Sequence, residues 1–237
     1  MLVPQPSVVF FDLFETLVTE IGLGLSIRET PASRLGIDEA IYRRTRRSYH
    51  HKGMTREVDY REILARACRA AGLELTDNIR SLIEEISADR VRNKAVPFGG
   101  IDGSVLDMLR QLRARGIRLG LISNCSVEEV TAWQTSPLAA MFDDVVFSYQ
   151  VGHIKPEPAI YRLACRRLGI SPANAIFVGD GGSDELRGAV NVGMRAYAAR
   201  WYVDKWPEKL RKSADSAATG FAGLNSPAAL LSVLGQR

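Results

Sequence analysis

The 237-residue sequence predicts an α/β fold, a doubly wound parallel sheet with a smaller α-helical domain inserted after its first strand. Three features lead there. An apolar run, Val8-Val9-Phe10-Phe11, stops at Asp12. From about residue 96 onward, short continuously apolar segments alternate with amphipathic ones, the pattern of parallel strands covered on both faces by helices. Between these regions, residues 20 to 95 carry helical periodicity only.

Taken in order, residues 7 to 18 read as the first strand and the loop after it. The block that follows holds helical segments Ile37 to Tyr49, Asp59 to Ala71 and Thr76 to Val91. Within the second, Arg61 to Cys68 repeats apolar residues at spacings of three and four, as an amphipathic helix does. Val96-Pro97-Phe98-Gly99-Gly100 reads as the turn that closes the block. The alternation then runs helix Ile101 to Arg115, strand Arg118 to Ile122, helix Val127 to Thr135 and strand Asp144 to Ser148. It continues with helix Pro158 to Leu168, strand Ala175 to Val178, helix Asp184 to Val192 and strand Arg195 to Ala198. The tail from Ser213 reads as a surface return ending in the helix Pro227 to Leu234. The expected division is a core of residues 1–19 and 96–237 and an inserted unit of residues 20–95.

Composition narrows the function classes. A hydrophobic share of 46% and a charged share of 24% are those of an ordinary globular chain. No apolar run approaches the roughly 20 residues that span a bilayer. Met1 to Pro6 lacks the basic start and apolar stretch of a signal peptide, so a cytoplasmic location is expected. Cys68, Cys125 and Cys165 are odd in number and far apart, which suits free buried thiols better than a disulfide or zinc site. The net charge of +4 favours an anionic partner. The basic residues are spread out apart from Arg43-Arg44, Arg46-Arg47 and the 110–118 stretch, and no nucleic-acid motif accompanies them. A small anionic substrate is therefore expected in place of nucleic acid, with no membrane partner, for a monomer or homodimer.

Asp12 is the most informative residue. A carboxylate at the end of a buried strand loses hydration unless a cation or several hydrogen bonds compensate, so its position points to a nucleophile or metal ligand. A turn or helix-capping acid is the plainer explanation when Asp12 is taken alone. Three further segments weigh against it: Leu119-Gly120-Leu121-Ile122-Ser123-Asn124, His153-Ile154-Lys155-Pro156, and Ile176-Phe177-Val178-Gly179-Asp180-Gly181-Gly182-Ser183-Asp184. Each sets a polar residue at the end of a strand or on the helix beyond, where catalytic groups of parallel sheets collect. Two acids four residues apart around a glycine pair also suit a hard cation.

With these four segments in this order, the chain resembles the haloacid dehalogenase superfamily of hydrolases over nearly its whole length. The resemblance implies Asp12 as nucleophile, Ser123 as a phosphate-binding hydroxyl with Asn124 beside it as a further substrate-binding residue, and Lys155 as the neutralising ammonium. It implies a magnesium site made by Asp12, Asp180, Asp184 and the backbone carbonyl of Phe14. The helical insertion resembles the cap that closes over the site in one branch of the superfamily, excluding water and choosing the substrate. Specificity would then reside in Arg43 to Arg56, with Tyr42, Tyr49, His50, His51 and Lys52, although a solvated helix face explains that segment equally well.

Phe14 departs from the family pattern, which has an acid two residues after the nucleophile. Positioned proton transfer contributes about 10²- to 10⁴-fold, so its loss weakens a phosphatase without removing nucleophilic and electrostatic catalysis. Glu15, His50 or His51 could supply the proton instead, or the leaving group could need none. The resemblance thus implies a magnesium-dependent phosphatase of a small phosphorylated metabolite, working through an aspartyl phosphate at Asp12. Two alternatives stay open: a metal-independent 2-haloacid dehalogenase, whose branch carries an aromatic residue at this position, and a catalytically weak domain that binds a phosphorylated ligand.

Overall fold

The computed structural model describes residues 6–21, 23, 29–203 and 206–235. The expectations for Met1 to Gln5 and for residues 22 and 24–28 of the insertion lie outside the described residues. Six parallel strands form one sheet: β1 (Val8–Phe11), β2 (Arg118–Ser123), β3 (Asp144–Phe147), β4 (Ala175–Gly179), β5 (Arg195–Ala199) and β6 (Ala222–Leu224). Their spatial order is β3-β2-β1-β4-β5-β6, which makes β1 central. Phe11 is in register with Leu121 on one side and Val178 on the other, so Asp12 emerges between the ends of β2 and β4.

Strand residues alternate between two apolar layers, as the pleat requires. Val9 and Phe11 join Leu109, Leu112 and Leu230 in a cluster built with helices α5 (Gly103–Ala114) and α10 (Pro227–Gly235). Val8 and Phe10 face the other way, onto α7 (Pro158–Arg167) and α8 (Glu185–Asn191). Both faces of the sheet are thus covered, and β1 is fully buried.

Helices α1 (Pro31–Leu35), α2 (Glu39–Thr55), α3 (Tyr60–Ala70) and α4 (Asp77–Gly99) stand between β1 and α5. They share a separate apolar cluster, including Leu35, Tyr42, Leu64, Cys68 and Ile83, to which the sheet contributes nothing. Side chains of Thr30, Asp38, Asp59 and Thr76 cap the four N-termini.

Three local expectations are corrected. The turn expected at residues 96–100 is the last turn of α4, which runs through Pro97. Proline there removes one backbone donor, but Phe98 is buried in the main sheet cluster and holds the turn by packing. The helix expected at Val127 to Thr135 is two 3₁₀ turns, Val127–Glu129 and Trp133–Thr135. Valine, threonine and tryptophan are poor helix formers, while Glu129 closes a capping box on Ser126 and Trp133 buries in the core. The tail is more regular than expected, with α9 (Glu208–Ala217) and strand β6 added on the edge beside β5. A three-residue Ala-Gly-Leu strand carries no β-branched signal to read. Among the described residues no helix is long and apolar enough to cross a membrane.

Candidate active site

The site begins where β1 ends. The Asp12 N–H donates to the Val178 carbonyl at 2.9 Å, continuing the ladder one residue past the strand and aiming the side chain across the end of the sheet. Lys155 Nζ donates to Asp12 Oδ1 at 2.5 Å and also to Glu185 Oε2. All three side chains are buried, with Lys155 3%, Asp12 7% and Glu185 1% exposed, so these are desolvated charges that need one another. Asp12, Asp180 and Glu185 each offer a carboxylate oxygen, and these atoms lie within 4.8 Å of one another.

Glycines and backbone amides make this approach possible. A Cβ on Gly179 would stand 2.0 Å from Glu185 Oε1, so only glycine lets that carboxylate reach the strand end. The Gly181 N–H donates to Glu185 Oε1 at 3.2 Å, and the Gly182 N–H to Asp180 Oδ1 at 3.0 Å.

Titration directions reflect the crowding. Burial and then the Asp12 charge push Asp180 up to about 6. Burial and the same neighbour raise Glu185 well above the usual carboxylate range. Burial works against the Lys155 ammonium, but Asp12 and Glu185 more than offset it and raise its pKa above the ordinary lysine value. Three carboxylates beside one ammonium leave a formal surplus of two negative charges. A divalent hard cation fits that donor set and that surplus.

Ser123 ends the neighbouring strand, fully buried, and its hydroxyl has no hydrogen-bond partner. A buried unpartnered hydroxyl costs about 1–3 kcal/mol, which an oxygen of a bound anion would recover. Asn124 turns its carboxamide to the backbone of Lys155: Nδ2 donates to the Lys155 carbonyl at 2.9 Å, and the Lys155 N–H donates to Oδ1 at 2.7 Å.

Asp184, expected in the metal set, stands outside it. Its side chain is 59% exposed and 3.5 Å from Arg187, and the inward acid is Glu185. A signal for Glu185 was present: on α8 it shares the buried stripe of Leu186, Gly188 and Ala189, whereas Asp184 lines up with polar Arg187.

The Phe14 ring meets Phe98 of α4 edge-on at 6.5 Å and lies 5.5 Å from the Lys94 ammonium. Its backbone forms an isolated bridge with Val18, which shapes the loop after Asp12. Glu15 does not stand free as a proton donor. Its carboxylate accepts from Thr19 Oγ1, the N–H groups of Glu20 and Ile21, and Trp206 Nε1. Trp201 Nε1 donates to the Thr16 carbonyl and the Tyr202 hydroxyl to that of Leu17, so the segment after β5 ties down the same loop. His50 and His51 are exposed on α2. A cavity of about 190 Å³ lies between the helical insertion and the sheet domain, lined by Arg46, Tyr49 and His50 of α2, Arg90 of α4, and Ser126 and Glu128. Beside it, Arg90 pairs with Glu128 at 2.9 Å, and Lys94 bridges Glu129 and Glu20, each at 2.9 Å.

The model of the haloacid dehalogenase-like hydrolases matches residues 6–193, and the chain belongs to that family of hydrolases. It is 37% identical over 91 residues to a glyceraldehyde 3-phosphate phosphatase of Methanopyrus kandleri, covering 38% of this chain and 39% of the relative. It is 32% identical over 146 residues to a phosphoserine phosphatase of Thermus thermophilus, covering 61% and 54%. The chain thus matches 39% to 54% of the length of these relatives. In structure it is similar to a 2-haloacid dehalogenase from Pseudomonas syringae pv. tomato, with TM-score 0.69, 24% identity, and coverage of 98% and 99%. That likeness is one of fold.

Proposed function

We propose that the protein is a magnesium-dependent phosphatase of a small phosphorylated metabolite, with Asp12 as nucleophile. One observation carries the reading: the buried surplus of negative charge formed by Asp12, Asp180 and Glu185 around Lys155. Magnesium bound by those three carboxylates supplies the positive charge that lets an anionic phosphate approach Asp12. The Lys155 ammonium and the unpartnered Ser123 hydroxyl hold non-bridging oxygens as charge develops. Asp12 attacks phosphorus, the bond to the leaving group breaks, and water later cleaves the aspartyl phosphate. Phe14 gives no proton to the leaving group, so substrates with activated leaving groups react best. Residues 1–19 and 96–237 form the catalytic core in this reading, and residues 20–95 the cap whose Arg46, Tyr49 and His50 face the substrate's remainder. The setting is cytoplasmic, in keeping with three free buried cysteines.

The aromatic Phe14 favours a second reading, a metal-independent 2-haloacid dehalogenase with the same nucleophile. The two separate on a screen of phosphate esters and 2-haloacids with magnesium or with excess chelator. Phosphate release that needs magnesium supports the first; halide release unaffected by chelator establishes the second.

A further inference from the structure

The geometry points to Asn124 as a positioning residue: its carboxamide sets where the Lys155 ammonium stands and does not itself hold substrate. This inference rests on the phosphatase chemistry proposed at Asp12. Both ends of the Asn124 carboxamide close on both polar groups of the Lys155 backbone, at 2.9 and 2.7 Å, as a neighbouring strand would. Lys155 lies in a loop outside every strand, so this pair of bonds replaces the ladder that fixes Asp12 and Ser123. An asparagine that bound substrate would instead present those groups to the open site.

Asn124 is itself anchored. The next residue, Cys125, donates its N–H to Ser148 Oγ at 3.0 Å and accepts from the same hydroxyl at 3.2 Å. Ser148 and Cys125 are fully buried, so one hydroxyl joins the ends of β2 and β3 from inside the core. The consecutive residues Ser123, Asn124 and Cys125 thus carry the phosphate-facing hydroxyl, the clamp on Lys155 and the anchor. This unit keeps the Ser123 hydroxyl and the Lys155 ammonium at a constant separation. Without it, Lys155 can follow Glu185 away from Asp12, and a misplacement of about 1 Å can cost about 10²-fold in rate.

A double-mutant cycle tests the role, using Asn124→Ala and Lys155→Met on p-nitrophenyl phosphate with magnesium. Asn124→Ala is expected to lower kcat about 10- to 100-fold while KM stays within about twofold. In the Lys155→Met background the same change should cost less than about twofold, because the group it positions is gone. Losses that multiply in both backgrounds, or a raised KM with kcat kept, would overturn the inference. Lys155→Met leaves two buried acids unpaired and can fail to fold, so amide exchange at Lys155 in Asn124→Ala provides a second readout. Faster exchange at that amide, with β1 amides unchanged, is expected; unchanged exchange at Lys155 overturns the clamp. Exchange needs no turnover, so a wild-type protein inactive on every phosphate ester would defeat the functional reading and leave this result standing.

Discussion

Asp12 carries the chemistry proposed for this site, so Asp12→Asn should abolish turnover while the melting temperature stays near that of the wild type. Near wild-type activity on the true substrate would rule out covalent catalysis. Glu185 and Asp184 form a sharper pair. Glu185→Gln should weaken magnesium binding strongly in calorimetry, whereas Asp184→Asn, altering an exposed carboxylate, should leave it nearly unchanged. Phe14→Asp should raise hydrolysis of an alkyl phosphate more than that of an aryl phosphate, within the about 10²- to 10⁴-fold that acid catalysis supplies. Equal changes on both substrates would assign Phe14 to packing against Phe98 instead. At this scale the sequence was readable where a polar residue ended an apolar strand, as at Asp12, Ser123 and Asp180. Spacing along the chain does not mark Glu185; only its place in the buried stripe of α8 with Leu186, Gly188 and Ala189 does. The Asn124 clamp was hidden because its partner is the backbone of a distant loop, which no residue type announces.

The elements that matter most are α4 and the loop after β1. Helix α4 joins the two apolar clusters, with Ile83 and Ile86 in the insertion and Phe98 in the sheet cluster. It is helical through Gly99, so in the proposed cap reading the hinges fall at Gly100 to Asp102 and at Thr19 to Ile21. Hydrogen exchange at those two hinges should slow when a phosphate analogue saturates the protein; unchanged exchange would count against closure. The strands and most helices were legible because burial on both sheet faces writes long apolar runs. Residues 127–135 carry apolar spacing that imitates a helix, but their valine, threonine and tryptophan disfavour one and Trp133 buries in the core.

Across the whole molecule, the site stores electrostatic cost that a bound cation would relieve. Asp180 holds its proton up to about pH 6 in the fold against an ordinary value of 3.8, so the folded protein binds more protons than the unfolded chain between those values. Stability of the metal-free protein therefore falls as pH rises through that window, and Glu185 acts in the same direction. Magnesium bound as proposed would replace those protons, so its stabilising effect should be larger at pH 7.5 than at pH 5. At magnesium about 100-fold above its dissociation constant the gain is about 2.7 kcal/mol, or roughly 5–10 °C in melting temperature for a chain of this size.

The most direct measurement is the initial rate of phosphate release from p-nitrophenyl phosphate in excess chelator, followed by magnesium added above the chelator. Release should be at background with chelator and return on adding magnesium, and Asp12→Asn should stay at background throughout. Full activity in chelator, or no release at any magnesium concentration while 2-chloropropionate is dehalogenated, would contradict a magnesium-dependent phosphatase at Asp12.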